Sequence, residues 1–331
     1  MEHISRLKER GFTVHATLEP SFFYLEIYLY LCSVKTRIKY LVLMSLLALG
    51  TRVARGQGGL LLSEVMFQPR SGEAEYVEMY NSGDEAVDLA EYVIIRWQGD
   101  SLGRRYPLPS QRIASHDYVV VTKDAASVAA TFPLAVQGKI VECNLPPYPN
   151  DGGAVVVADT AGMVVERLDY SPAMHSRLLR NKAGVSLERR SFERPCNEAG
   201  NWFSAASTAG YGTPTLPNSQ STEYVAEEAS FVFSSELLSP DGDGYEDELR
   251  IEYMLDDGDV YASIDVYDAV GHPVRKVLDN ALLGTHGTLT WDGRSEGGAT
   301  LRRGRYIFII KIYNTQGIQQ TLRRTVAIVG D

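Results

Sequence analysis

The run Tyr76-Val77-Glu78-Met79-Tyr80, followed by Asn81-Ser82-Gly83-Asp84, decides the fold class. Tyr76, Glu78 and Tyr80 share one face and Val77 and Met79 the other, which is the two-residue period of a strand. Asn81 to Asp84 is turn chemistry. The same grammar extends outward in both directions. Upstream, Leu60 to Phe67 reads LLLSEVMF and is broken by QPRSGEAE. Downstream come Val87–Leu89, Tyr92–Trp97, Tyr118–Thr122, Ala154–Ala158 and Val164–Asp169, with proline- and glycine-rich breakers between them. Only Asp124 to Phe132 reads as a turn or two of helix, stopped by Pro133. Short strands separated by turns predict an antiparallel sandwich. Within it, Glu64, Glu75 and Glu78 read as solvent-facing strand positions, with a surface carboxylate cluster as the alternative. Trp202 and Tyr148 read as packing residues.

A second strand set begins at Phe231-Val232-Phe233. Arg250 to Leu255 alternates, as does Ala262 to Asp268, with Ile264 and Val266 inward. Gly304 to Tyr313 is the clearest strand, and the last runs from Thr321 to Val329. Roughly seven strands in about 100 residues is the size of one immunoglobulin-like unit. Ser219 to Glu223 reads as a polar linker, and Asp256-Asp257-Gly258-Asp259 as a solvated hairpin turn.

At 331 residues the chain suits two domains, and 44% hydrophobic content supplies their cores. The formal charge is −10, and residues 57–331 alone carry 24 basic against 38 acidic side chains. Such a body is repelled by phosphate backbones, which argues against general nucleic-acid binding. The N-terminal segment is basic at Lys35-Thr36-Arg37-Ile38-Lys39 and apolar from Tyr40 to Gly50. That run is too short to span a membrane and fits the core of a signal peptide. Ala54-Arg55-Gly56 places small residues at a cleavage site, so no transmembrane helix is expected in the mature chain. The expectation is translation from Val34, an extension at 1–33 outside the mature protein, and a signal peptide at 34–56.

The opening Ser63-Glu64-Val65-Met66-Phe67-Gln68-Pro69 with Glu75 to Asn81 resembles bacterial lamin tail domains. So do Gly184 to Arg189, Asn201-Trp202 and Gly212-Thr213-Pro214 with Asn218-Ser219. The resemblance implies an immunoglobulin-like sandwich used for binding and scaffolding. The second region, through Ser239 to Gly244 with Asp247, Ile264 to Asp268, Trp291-Asp292-Gly293 and Gly304-Arg305-Tyr306, looks like the modules of flagellar hook-capping proteins. It looks equally like the C-terminal domains of gliding-motility-associated proteins exported by the type IX system. The latter resemblance implies a sorting role.

Ser239-Pro240-Asp241-Gly242-Asp243-Gly244-Tyr245-Glu246-Asp247 opens the second region. Asp241, Asp243 and Asp247, with the Tyr245 carbonyl, are the candidate ligands of a calcium ion, which takes six to eight oxygens. The spacing is not that of an EF-hand, and the alternative is a tight turn built from Asp and Gly. Cys143 and Cys196 are an even pair in an exported chain, either a disulfide or two packed thiols. His116, His175, His272 and His286 form no zinc pattern, and no nucleophile elbow or phosphate loop is present.

These readings combine into an all-β chain of two immunoglobulin-like antiparallel β-sandwiches in tandem, at 57–218 and 229–331, joined at 219–228. The expected function is non-enzymatic: an exported binding or scaffolding protein of the outer-membrane surface, periplasm or medium, calcium its candidate cofactor. Its partners would be other envelope or surface proteins, or glycans. The alternatives are type IX cargo sorted by its C-terminal region, and a hydrolase with a cleft between the two regions.

Overall fold

The computed structural model of the chain describes residues 59–98, 101–224, 226, 228–317 and 319–330. The signal peptide expected at 34–56 and the extension at 1–33 lie outside the described residues. The first region comprises β1 (Leu60–Met66), β2 (Tyr76–Asn81), β3 (Val87–Asp88), β4 (Tyr92–Gln98), β5 (Ser101–Pro107), β6 (Arg112–Ile113) and β7 (Tyr118–Thr122), then the helix α1 (Ala125–Thr131). It continues with β8 (Ile140–Glu142), β9 (Gly153–Asp159), β10 (Val164–Tyr170), β11 (Leu187–Arg189) and β12 (Trp202–Ser204). A six-stranded sheet runs β12-β11-β1-β2-β7-β8 and a four-stranded sheet β10-β9-β4-β5. Leu60, Leu62, Val65, Val77, Met79, Val119 and Val121 of the first sheet share one core with Ile94, Val155, Val157 and Leu168 of the second. Trp202 and Tyr148 pack into this core, and the Trp202 indole donates to the Cys196 carbonyl at 2.7 Å.

One irregularity decides which side chains face outward. The register of β1 against β2 slips between Leu62 and Glu64, so Leu62 opposes Met79 while Glu64 opposes Glu78. Strict alternation would put Leu62 and Glu64 on one face. The bulge at Ser63 sends Leu62 to the core and turns Glu64 outward. That outer face is covered rather than solvated. Met66, Tyr76 and Val120 meet Val128 and Phe132 of the helical segment, whose N-terminus is capped by Asp124 accepting from the Ser127 amide at 2.9 Å.

The second region comprises β13 (Ser230–Phe233), β14 (Leu237–Leu238), β15 (Leu249–Met254), β16 (Val260–Asp268), β17 (Pro273–Leu282), β18 (His286–Trp291), β19 (Gly304–Asn314) and β20 (Gln319–Ile328). They form a three-stranded sheet, β13-β15-β18, and a five-stranded sheet, β14-β20-β19-β16-β17. Ile251 and Tyr253 from one sheet meet Ile264, Val266, Phe308 and Ile310 from the other. The Phe308 ring stands edge-on to Phe233 and Trp291, with centroids 5.1 and 5.3 Å away. The architecture is all-β, with antiparallel and mixed sheets. It departs from two wholly antiparallel sandwiches, because β7–β8 and β14–β20 pair in parallel.

Two loops differ from expectation. Asp256 to Asp259 is not a hairpin turn, because β15 and β16 belong to different sheets. Asp257 instead pairs with Arg190 of the first region at 2.9 Å, and the Thr315 hydroxyl donates to buried Asp259 at 2.8 Å. The start of the polar linker is packed rather than solvated, with Gln220 buried next to buried Asn218, while Glu223 is exposed. Gln220 Nε2 donates to the Leu283 carbonyl at 3.0 Å, and the Thr285 amide to the Ser219 carbonyl at 2.8 Å. Nearby, Ser207 Oγ donates to the Leu282 carbonyl at 2.7 Å and the Tyr261 hydroxyl to Ser176 Oγ at 2.9 Å. The two β regions therefore meet along a hydrogen-bonded seam, and Gly58–Asp331 forms one compact unit.

Candidate functional site

The acidic loop takes the form its glycines allow. Gly242 and Gly244 adopt φ of +85° and +90°, which the other residue types disfavour. This curl aims backbone amides at the aspartates. The Asp243 amide donates to Asp241 at 3.1 Å and the Tyr245 amide to Asp243 at 2.7 Å. Asp247 accepts from the Gly242 and Gly244 amides at 2.6 and 2.7 Å, one on each carboxylate oxygen. Oxygens of Asp241, Asp243 and Asp247 lie within 4.8 Å of one another, the first two residues exposed and Asp247 half-buried. Tyr245 joins through its amide while its ring is exposed. The loop thus performs the turn role outright, and its three carboxylates are close enough to share a hard cation.

A second carboxylate cluster joins Glu64 and Glu78, two of the three glutamates offered by the sequence as a surface cluster, to Glu188, which the sequence did not single out. Glu188, Glu64 and Glu78 occupy facing positions on the adjacent strands β11, β1 and β2. All three are 0% exposed, contrary to the solvent-facing expectation for Glu64 and Glu78. Glu75 stays apart from them, half-buried and 4.0 Å from Lys123. The lid over the ladder is the stretch 212–220 that leads to the second region. Glu64 Oε1 accepts from the Tyr76 hydroxyl at 2.7 Å, from the Thr213 amide at 3.1 Å and, at close range, from the Ser186 hydroxyl. Glu188 accepts from the Thr213 hydroxyl at 2.8 Å, the Ser219 hydroxyl at 2.7 Å and the Gln220 amide at 2.9 Å. Glu78 Oε2 accepts from the Thr215 amide at 2.5 Å, and its Oε1 is buried without a partner.

No cation is among the hydrogen-bond partners of these carboxyls. Burial foremost, then the Glu188 charge, pushes the Glu64 carboxyl up to about 8. Burial and Glu64 hold Glu78 well above the carboxylate range, and burial raises Glu188. A buried charge without a counterion is stabilised only by hydrogen bonds. Glu64 and Glu188, with three donor groups each, are both better seats for a negative charge than Glu78. Glu78, with a bare oxygen, is the worst. The signal available in the sequence was a Glu inside each of three strands, flanked on both sides by apolar residues only at Glu78.

Cys143 and Cys196 are free thiols, one half-buried and one buried against the first core. Burial pushes them up to about 11 and about 12 respectively, so neither is a ready nucleophile at neutral pH. His116 is exposed on its loop, bonded to the Tyr80 hydroxyl at 3.1 Å. His175 is buried with Nδ1 2.9 Å from Ser204 Oγ, and burial lowers it to about 4, which keeps it neutral. His272 pairs with Asp268 at 3.2 Å on the surface. Two shallow clefts lie in the first region. One, of about 340 Å³, is bordered by Arg104, Pro107 and Glu142, and the other, of about 440 Å³, by Arg96, Trp97 and Pro147.

Residues 54–172 match the lamin tail domain family, and residues 232–326 match the CHU_C type IX secretion signal domain family. The sheet of the first region continues past the first match, since β11 and β12 extend it to Ser204. The second match identifies an exported chain with a surface or extracellular destination. Among the described residues no helix is long and apolar enough to cross a membrane. No curated protein matches the chain. Among solved structures, PorZ of Porphyromonas gingivalis, an essential surface component of its type IX secretion system, is 16% identical over 30% of this chain and 11% of its own, with a TM-score of 0.21. Dimeric latent PorU of the same organism is 10% identical over 82% of this chain and 20% of its own, with a TM-score of 0.26. FLGD of P. aeruginosa is 19% identical over 31% of this chain and 70% of its own, with a TM-score of 0.21. The chain spans about a tenth to a fifth of the length of PorZ and PorU. Likenesses at this level carry no argument about fold or activity.

Proposed function

For a chain that carries a lamin tail domain followed by a type IX secretion signal domain, we propose that the second region is an address and the first its passenger. The observation that carries this reading is the secretion-signal match over 232–326, which covers β14 to β20 almost entirely. Each pair of facing sheets then acts as an immunoglobulin-like module around its own core. The first module binds envelope or surface proteins, or glycans, and performs no catalysis. In support, its buried polar groups are spent on holding the stretch 212–220, and its clefts are shallow and lie away from the buried carboxyls.

Deleting residues 229–331 in a bacterium with a type IX system tests the address. Retention of the truncated protein in the periplasm is the expected result. Unchanged surface display would refute sorting and leave binding as the whole function. Calcium as a ligand of Asp241, Asp243 and Asp247 is supported by the closeness of their carboxylates. Calorimetric titration of the full chain should give a binding heat that Asp243→Ala removes, and silence at millimolar calcium would end that part of the proposal.

A further inference from the structure

We propose that the stretch 212–220 is latched by a proton held within the Glu188–Glu64–Glu78 ladder, so that opening the seam between the two β regions and releasing that proton are one event. The geometry behind this is independent of the secretory reading. Three carboxyls stand side by side across three adjacent strands, fully buried. Their partners are hydroxyls and backbone amides only: Tyr76, Ser186, Thr213, Thr215, Ser219 and Gln220.

The groups facing the ladder can be taken element by element. From β2 come Glu78 and the Tyr76 phenol, which burial holds in its neutral form, and from β1 and β11 come Glu64 and Glu188. The covering stretch reads Gly212-Thr213-Pro214-Thr215-Leu216-Pro217-Asn218-Ser219-Gln220, without an ionisable side chain. Phe132, beyond α1, adds only a ring against Tyr76. Three negative charges in this enclosure would have no counterion, so the closed state must carry protons. A path for one is visible. Thr213 Oγ1 lies 3.4 Å from Glu64 Oε2 and 2.8 Å from Glu188 Oε1. A protonated Glu64 can donate to the threonine oxygen while the threonine donates to ionised Glu188, and one hydroxyl of the covering stretch then bridges the two acids. Ionised Glu64 leaves two anions competing for the same single hydroxyl proton.

The consequence is directional. Lifting the stretch 212–220 hydrates the ladder, returns its acids toward ordinary carboxylate behaviour and releases the proton. Opening is therefore suppressed in acid and favoured as pH rises. The seam opens with the latch, because Ser219 and Gln220 bond to Glu188 on one side and to Thr285 and Leu283 on the other.

Hydrogen exchange of the full chain, corrected for the chemical rate, tests this through the Thr213, Thr215 and Gln220 amides. Their opening should increase at least about tenfold per pH unit between pH 5 and 8, the slope for one released proton, and more steeply where Glu78 releases a second. The Phe308 amide of β19 should show no such rise. Glu64→Gln, which keeps an acceptor for Tyr76, Ser186 and Thr213, should lower the slope by one proton, about tenfold per pH unit, while leaving the amides protected, with buried Glu78 accounting for any rise that remains. A pH-independent opening in the unaltered chain, or an equal rise in Glu64→Gln, would overturn the proposal. Should the variant fail to fold, infrared spectroscopy of the unaltered protein decides. A protonated-carboxyl band at pH 7 that loses intensity above about pH 8 supports the latch, and its absence at pH 7 refutes it.

Discussion

Removing the acceptor at the centre of the ladder is the most demanding test of its energetics. Glu64→Ala deprives the Tyr76 hydroxyl and the Thr213 amide of the partners they have at 2.7 and 3.1 Å. Ser186 retains the Tyr211 carbonyl at 3.2 Å. Two stranded donors at about 1–3 kcal/mol each, less the relief of a buried acid beside Glu188, give an expected loss of about 3 kcal/mol at pH 7. Glu64→Gln should lie within about 1 kcal/mol of the unaltered chain there, since Glu64 is mainly neutral at that pH. Linkage then separates the two explanations. Glu64 has a folded value of about 8 against an unfolded 4.5, so the folded state binds the extra proton. Its contribution is fully present below pH 4.5 and is lost as pH rises, at about 1.4 kcal/mol per pH unit, until about pH 8. Urea unfolding by fluorescence at several pH values is the assay, with Trp202 reporting on the first core and Trp291 on the second. Stability that is flat or rising from pH 5 to 8 would show that the ladder carries no raised carboxyl, and a Glu64→Gln slope equal to the unaltered one would show that Glu64 is not raised.

Gly212→Ala would place a Cβ 2.6 Å from Phe132 and 2.7 Å from the Tyr76 hydroxyl, so a loss of about 1–3 kcal/mol is expected, read as a lower urea midpoint for the Trp202 signal. Phe308→Ala should cost about 3–5 kcal/mol in the second core, because the ring is fully buried between Phe233 and Trp291, and the Trp291 signal should shift first. Cys143 and Cys196 should resist alkylation in the folded protein at pH 7.5 and react after denaturation, as followed by mass spectrometry of the labelled peptides.

Much of the strand inventory was legible because one face of most strands packs into a core. β15 is the clearest case, with Leu249, Ile251 and Tyr253 buried and Arg250, Glu252 and Met254 turned away. The short β11 and β12 were not legible, since three residues carry no period. The acidic loop was readable because its glycines and aspartates are all local. The ladder was hidden for two physical reasons. A bulge at Ser63 reverses the alternation in β1, and the polar face of β2 is buried by a stretch distant in sequence. Periodicity shows that Glu78 opposes Val77 in direction, but not that Thr215 will cover it. The same long-range contacts converted the stretch around Ser219 from a tether into a seam.

The brevity of β14 has a consequence for how copies of this chain behave at high concentration. Leu237 and Leu238 cover only the last two paired residues of β20, opposite Ala327 and Ile328. The backbone edge from Gln319 to Thr325 lies beyond β14, and such an edge is a template on which another strand could add. Its sequence answers that hazard. Arg323 and Arg324 are exposed there, and two copies approaching edge to edge in antiparallel fashion would bring these arginines toward one another. The repulsion costs a folded monomer little, while it opposes growth of a continuous sheet between molecules. Replacing both arginines by threonine would retain the strand and remove the safeguard, turning a soluble edge into a site of self-association.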